Sequence, residues 1–257
     1  MKQTHTLSRR EFVGLTSAAA AALTAAACGL DSVAWASGDG RLKARPKPGV
    51  KTTATGKSAL GLGAGRDGLL SMPATIPDAP MPLFVLLHGA NGSAERQLAR
   101  FNSIPSDTGV AVLAIDSRSR TWDAVMDLGF GVDVEFINLA LEKVFGLVAV
   151  DPRRLTIGGF SDGATYGLSL GLFNGDLFPK IAAFSTGFLF PGSRHGKPRI
   201  FMSHGTSDDI LPIDQCGRPV AADLRKRGYD VTFREFAGKH EVPPAIATEA
   251  FQWIATA

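Results

Sequence analysis

Residues 155–167 read LTIGGFSDGATYG: an apolar run that ends in two glycines, an aromatic, a lone serine and another glycine. A flexible loop is one reading. The other is a serine held on a sharp turn between a strand and a helix. Leu155–Ile157 has the apolar character of a strand, and the small residues Ala164 and Gly167 suit a helix packed closely on it. Glycines two before and two after Ser161 remove Cβ atoms where neighbouring backbone must approach a strained turn. A serine presented in this way is a candidate nucleophile.

The surroundings continue the pattern. PLFVLLHG (Pro82–Gly89) and GVAVLAID (Gly109–Asp116) are continuous apolar runs, as expected of strands covered on both faces in a parallel sheet. Between them, SAERQLARFNSIPSDT supplies a crossover helix starting at Ser93 with Glu95 in its first turn. Val134, Ile137, Leu141, Val144 and Val148 recur at three- and four-residue steps, which predicts a helix with one face on the sheet. Strands are expected at 180–186, 198–205 and 230–238, and helices at 221–228 and near the C-terminus, where Pro243 or Pro244 opens the first turn. This alternation predicts an α/β fold with a mainly parallel sheet.

The 257 residues, 45% hydrophobic and 20% charged, suit one large domain with a full core. A formal charge of +3, with Lys and Arg scattered, gives no footprint for nucleic acid. Ser37 to Gly65 is rich in Gly, Pro, Lys and Thr and reads as a linker or loosely ordered arm (37–65) before a catalytic domain at 66–257. Within it, GLGAG (Gly61–Gly65) reads as a glycine loop, because it lacks the strand and helix of a dinucleotide site.

The first 36 residues are read as a targeting segment. SRREFVGL precedes an Ala-rich apolar run from Val13 to Ala27, and Ser8, Arg9, Arg10 and Phe12 stand as in a twin-arginine export signal. Cleavage after Ala36, through Ala34 and Ala36, gives a soluble periplasmic or extracellular protein. AAACG alternatively resembles a lipoprotein box with Cys28 acylated and membrane-anchored, although Ala25 stands where leucine is usual. The expected partner in either case is the twin-arginine export machinery. After cleavage at Ala36 only Cys216 remains, so no intrachain disulfide is available.

Gly159-Phe160-Ser161-Asp162-Gly163 between a strand and a helix resembles the nucleophile elbow of α/β-hydrolases. A serine hydroxyl needs a base within hydrogen-bond reach and a third group to orient that base, and in this superfamily the histidine comes last in the chain. Of His5, His88, His195, His204 and His240, only His240 follows a plausible acid in a loop after the last strand; His88 and His204, beside glycines at strand ends, suit structural roles. HGTSDDILP offers Asp208 and Asp209 as the acid. One oxyanion donor is expected from the N–H of Asp162, the residue after the serine.

The blocks RDGLLSMP, PLFVLLHGANG, TWD, GVDVEFI, VDPRRLTIGGFSDGATYGLSL and HGTSDDILP follow one another as in phospholipase/carboxylesterase-like and polyhydroxybutyrate-depolymerase-like esterases. The resemblance implies a three-layer α/β-hydrolase sandwich, Asp208 as the acid, and Ala90 N–H as the second oxyanion donor after His88-Gly89. It implies a serine carboxylesterase acting on a small-molecule or polymer ester. Acyl transfer or peptide cleavage by the same triad remains open, as does a non-catalytic lipoprotein of the same fold. The 46 residues between Ser161 and Asp208 leave no room for a large cap domain, so an open site is expected, with Trp122, Phe130 and Phe160 as possible pocket walls. No cofactor is implied, and the histidines show no metal-ligand spacing.

Overall fold

The computed structural model describes residues 38–126 and 129–257. The segment read as an export signal, with Ala36 and Cys28, lies outside the described residues. Eight strands form one sheet: β1 (Lys57–Ala59), β2 (Gly68–Ser71), β3 (Met81–Leu87), β4 (Ala111–Ile115), β5 (Val150–Phe160), β6 (Lys180–Phe184), β7 (Arg199–Gly205) and β8 (Val231–Phe236). Their order is β1-β2-β4-β3-β5-β6-β7-β8. β1 and β2 are antiparallel additions at one edge, and every pairing from β4 to β8 is parallel.

The apolar runs explain the layers. Along β3 every residue is buried, and alternate side chains enter different cores. Leu83, Val85 and Leu87 join a cluster with α3 (Val132–Leu147), α4 (Asp162–Phe173) and α5 (Gly217–Lys226). Phe84 and Leu86 pack on the other face with α1 (Ala94–Ala99) and α6 (Pro244–Ala255). A strand with helices on both faces must be apolar on both, which is why these runs do not alternate.

The crossover expected from Ser93 divides in two. Ser93 caps α1, its hydroxyl accepting from Arg96 N–H at 3.3 Å, but the helix stops at Ala99. Asn102 takes a positive φ of 46°, and a short α2 (Ile104–Asp107) restarts with Pro105 in its first turn. The β6–β7 connection, residues 185–198, has no helix at all. It lies on α4, with Gly187 N–H donating to Thr165 Oγ1 at 2.9 Å and Phe190 N–H to Ser169 Oγ at 3.0 Å.

The segment expected to be a loose arm is bound to the domain. Leu42, Ala44 and Leu60 are buried in the main core. Buried Asn174 accepts from Leu42 N–H at 2.8 Å and donates to Gly40 O at 2.8 Å, and Asn138 accepts from the N–H groups of Lys43 and Ala44. Arg41 and Arg45 share the carboxylate of Asp176, at 2.7 and 2.8 Å. The composition of the segment reflects polar clamps and a few buried apolar anchors, and neither has a period to read. GLGAG is the turn joining β1 to β2, closed by Asp67, which accepts from Gly61 N–H at 2.6 Å and Leu62 N–H at 3.1 Å.

The hydrogen bonds from Arg41 hold the Asp176 carboxyl at about 2 against the opposing effect of burial. A carboxylate whose folded value lies below its unfolded one, about 3.9, stabilises above that value and loses the contribution as pH falls through the folded one. Urea midpoints measured from pH 5 down to pH 2 should therefore fall less steeply in Asp176→Asn than in the wild type. Parallel slopes would show that the clamp does not couple to folding.

Candidate active site

The chain runs from β3 outward to β4, then returns to β5 on the other side of β3. This reversal leaves a crevice at the carboxyl ends of β3 and β5, where α/β sheets place their ligands. Ser161 follows β5 and the loop 88–92 follows β3, so both converge there.

Ser161 has φ 57° and ψ −120°, a conformation that costs a non-glycine residue roughly 1–3 kcal/mol. Its backbone is held on both sides: its N–H donates to Phe184 O at 2.9 Å, and its carbonyl accepts from Ala164 N–H at 2.9 Å and Thr165 N–H at 3.0 Å. The two glycines of the motif have a steric cause. A Cβ at 159 would stand 2.1 Å from Leu87 O, and one at 163 would stand 2.3 Å from Leu87 O and 2.5 Å from His88 O. The end of β3 is wedged into the notch between them.

His240, in the loop after β8, reaches into the crevice. Its Nε2 accepts from the Ser161 hydroxyl at 2.9 Å, and its Nδ1–H donates to Asp208 Oδ2 at 2.7 Å. Asp208 Oδ1 accepts from the N–H groups of Ile210 at 3.0 Å and Leu211 at 2.8 Å. Burial alone would raise the Asp208 carboxyl, but contacts with His204, His240 and Leu211 N–H outweigh it and hold the group well below the usual carboxylate range. It is therefore an anion facing the imidazole. Asp209 points to Lys239 Nζ at 3.2 Å and takes no part.

His88 and His204 are buttresses. The ring of His88 accepts at Nε2 from Ser117 N–H at 3.0 Å, which leaves Nδ1–H to donate to Gly89 O at 2.7 Å. Burial lowers its pKa, favouring this neutral form. Arg66 also approaches Nε2, at 3.0 Å. His204 is fully buried and donates to Leu211 O at 2.7 Å, bracing the loop that carries Asp208.

Loop 88–92 is fixed by Gly92 N–H to Gly89 O at 3.0 Å and Asn91 N–H to Arg120 O at 2.7 Å. Among the described residues the N–H groups of Ala90 and Asp162 have no protein acceptor. Gly89 lies against Ser161, so the loop is seated beside the hydroxyl.

Two expected pocket walls belong to the core. Trp122 is fully buried, stacked on Tyr166 at 5.1 Å between centroids, and its indole N–H donates to His88 O at 2.9 Å. Phe130 packs against Tyr166, Phe173 and Phe190. Their large apolar surfaces are used inside the protein. Phe160 does border the site, its ring 4.7 Å from that of His240.

Besides its N–H, Asp162 has a side chain that serves as a buried anchor. Its Oδ2 accepts from Thr121 Oγ1 at 2.6 Å, and burial raises its pKa. Thr121, Arg66 and Ser117 are the supporting residues the sequence did not single out. The TWD block marks Thr121, but its partner is 41 residues away in the chain.

The mainly parallel eight-stranded sheet with helices on both faces is an α/β-hydrolase fold. A protein of Nocardia uniformis subsp. tsuyamanensis named "Putative esterase NocK" is 26% identical over 180 residues, covering 65% of this chain and 52% of that protein. Acyl-protein thioesterase 1 of Gibberella zeae is 27% identical over 139 residues, covering 46% of this chain and 59% of the relative. The matched regions thus span little more than half the length of these relatives. FphF, a fluorophosphonate-binding serine hydrolase of Staphylococcus aureus solved with substrate bound, shares the fold with a TM-score of 0.61 at 13% identity, covering 79% of this chain and all of that one. No family model matches the chain. The likeness in sequence is to esterases by name, which supports a hydrolase reading.

The wedge between Gly159 and Gly163 predicts that Gly163→Ala destabilises by about 3 kcal/mol or more, read as a lowered melting temperature. At Gly146 in α3 an added Cβ meets no atom within 4 Å, so Gly146→Ala should raise stability by about 0.5–1 kcal/mol. Equal effects at the two positions would disprove the wedge.

Proposed function

We propose that this chain is an exported serine esterase that cleaves carboxylic esters through Ser161, His240 and Asp208. One observation carries the reading: a single imidazole bridges the Ser161 hydroxyl at 2.9 Å and the Asp208 carboxylate at 2.7 Å.

In this reading the Ser161 oxygen attacks the ester carbonyl while His240 Nε2 takes its proton. Asp208 keeps the Nδ1 proton in place and stabilises the imidazolium that forms. The Ala90 and Asp162 amides, free of protein acceptors, receive the oxyanion, each such donor contributing about 3–4 kcal/mol. His240 then returns its proton to the departing alcohol, leaving an acyl-serine. Water, activated by the same histidine, releases the acid. The strained φ at Ser161 keeps the hydroxyl projecting from the elbow toward His240.

A fluorophosphonate probe should label Ser161 in the wild type and leave Ser161→Ala unlabelled. Asp208→Asn should cut kcat/KM on a short p-nitrophenyl ester by about 10³–10⁴-fold, since the neutral amide favours the wrong imidazole tautomer. Absent turnover together with absent labelling would refute the esterase reading.

Export is supported by Ser8, Arg9, Arg10 and Phe12 ahead of the Ala-rich run. Mass spectrometry of the secreted chain should find Ser37 as the first residue. An acylated Cys28 at the N-terminus would instead place the protein on a membrane.

A further inference from the structure

Around the crevice the carboxylates and the cations are held differently. The carboxylates are engaged: Asp208 with His240, Asp162 with Thr121, Asp209 with Lys239, and Asp116 with the N–H groups of Asp67 and Ala94. Glu241, beside His240, turns back to accept from Lys239 N–H at 3.3 Å. Two exposed guanidinium groups, those of Arg100 and Arg120, have no carboxylate partner among the described residues.

Both are built into the edge of the site. Arg100 follows α1 and lies over the Phe160 ring, 4.7 Å from its centroid, and the same ring is 4.7 Å from His240. One aromatic ring therefore separates a free cation from the imidazole. Arg120 lies in the strand-end loop whose next residue, Thr121, binds Asp162, and its own carbonyl holds Asn91 of the oxyanion loop. Its charge is felt at the Asp162 carboxyl.

Building on the esterase reading above, we propose that the site selects esters whose alcohol half carries an anion, a carboxylate in the first instance, and that Arg100 is the residue that meets it. The side follows from the chemistry. His240 must deliver its proton to the departing oxygen, so the alcohol half lies beside His240; of the cations on that side, Lys239 is paired with Asp209 and Arg100 has no carboxylate partner among the described residues. Stacking on Phe160 holds the guanidinium at the mouth without neutralising it, leaving its N–H fork for a planar carboxylate. Arg120 stands on the oxyanion side, where its carbonyl holds Asn91.

The test compares 4-acetoxybenzoate with its methyl ester, which have the same acyl group and leaving groups that differ in charge. The ratio of kcat/KM, anionic over neutral, should fall about fivefold in Arg100→Gln, and the wild-type ratio should shrink in high salt. Arg100→Lys, which keeps the charge, should retain most of the ratio. Lys226→Gln on α5 removes an equal charge at the far end of the sheet and should leave the ratio as it is. A ratio unmoved by Arg100→Gln while the neutral ester is still cleaved would overturn the anion selectivity alone. Failure of the wild type to cleave either ester, with no fluorophosphonate labelling of Ser161, would remove the enzymatic reading and this proposal with it.

Discussion

The carbonyl oxygens of Leu87 and His88 occupy space that Cβ atoms at positions 159 and 163 would need. Around that contact the end of β3, the turn at Ser161 and the start of α4 become one rigid body. Ser161 gains its left-handed backbone there, because Phe184 O on one side and the N–H groups of Ala164 and Thr165 on the other leave it no alternative. The loop after β3 is thereby delivered beside the hydroxyl, and the free amides of Ala90 and Asp162 come to the same crevice. The local strain is sustained by backbone contacts that the hydroxyl itself does not make, which leaves it available to His240.

Around this junction the polar groups fall into two layers. The inner one is Ser161, His240 and Asp208. The outer one consists of groups that hold loops: His88 on Gly89 O, Trp122 on His88 O, Thr121 on Asp162, His204 on Leu211 O. Each outer contact fixes a carbonyl or carboxylate at a strand end. The inner groups can then stand at hydrogen-bond distance without rearrangement, which is the condition for preorganised charge stabilisation.

The parallel strands, the elbow and the partners of Ser161 were legible because each has a local signature: apolar runs for strands covered on both faces, glycines flanking the serine, and the order of Asp208 and His240 along the chain. The choice of Asp208 over Asp209 rested on resemblance, and the distances to His240 agree with it. What escaped the sequence was long-range. Trp122 and Phe130 are aromatic near the motif, yet nothing local tells a core ring from a pocket wall. The anchoring role of the Asp162 side chain has no local signature, because Thr121, its partner, lies 41 residues away. The segment before β2 looked loose because its anchors, Asn138, Asn174 and Asp176, are scattered singly through later helices and turns.

That segment has a consequence for the order of assembly. Leu42 meets Asn174 across 132 residues of chain, and Arg41 meets Asp176 across 135. These contacts have nothing to close on until β5, α4 and the turn after it exist, so residues 40–45 dock late, although they are synthesised early. Their docking reports, ahead of β1, that the middle has folded. The residues upstream of Gly38 are thus joined to a free strand in an unfinished molecule and to a fixed one in a finished molecule.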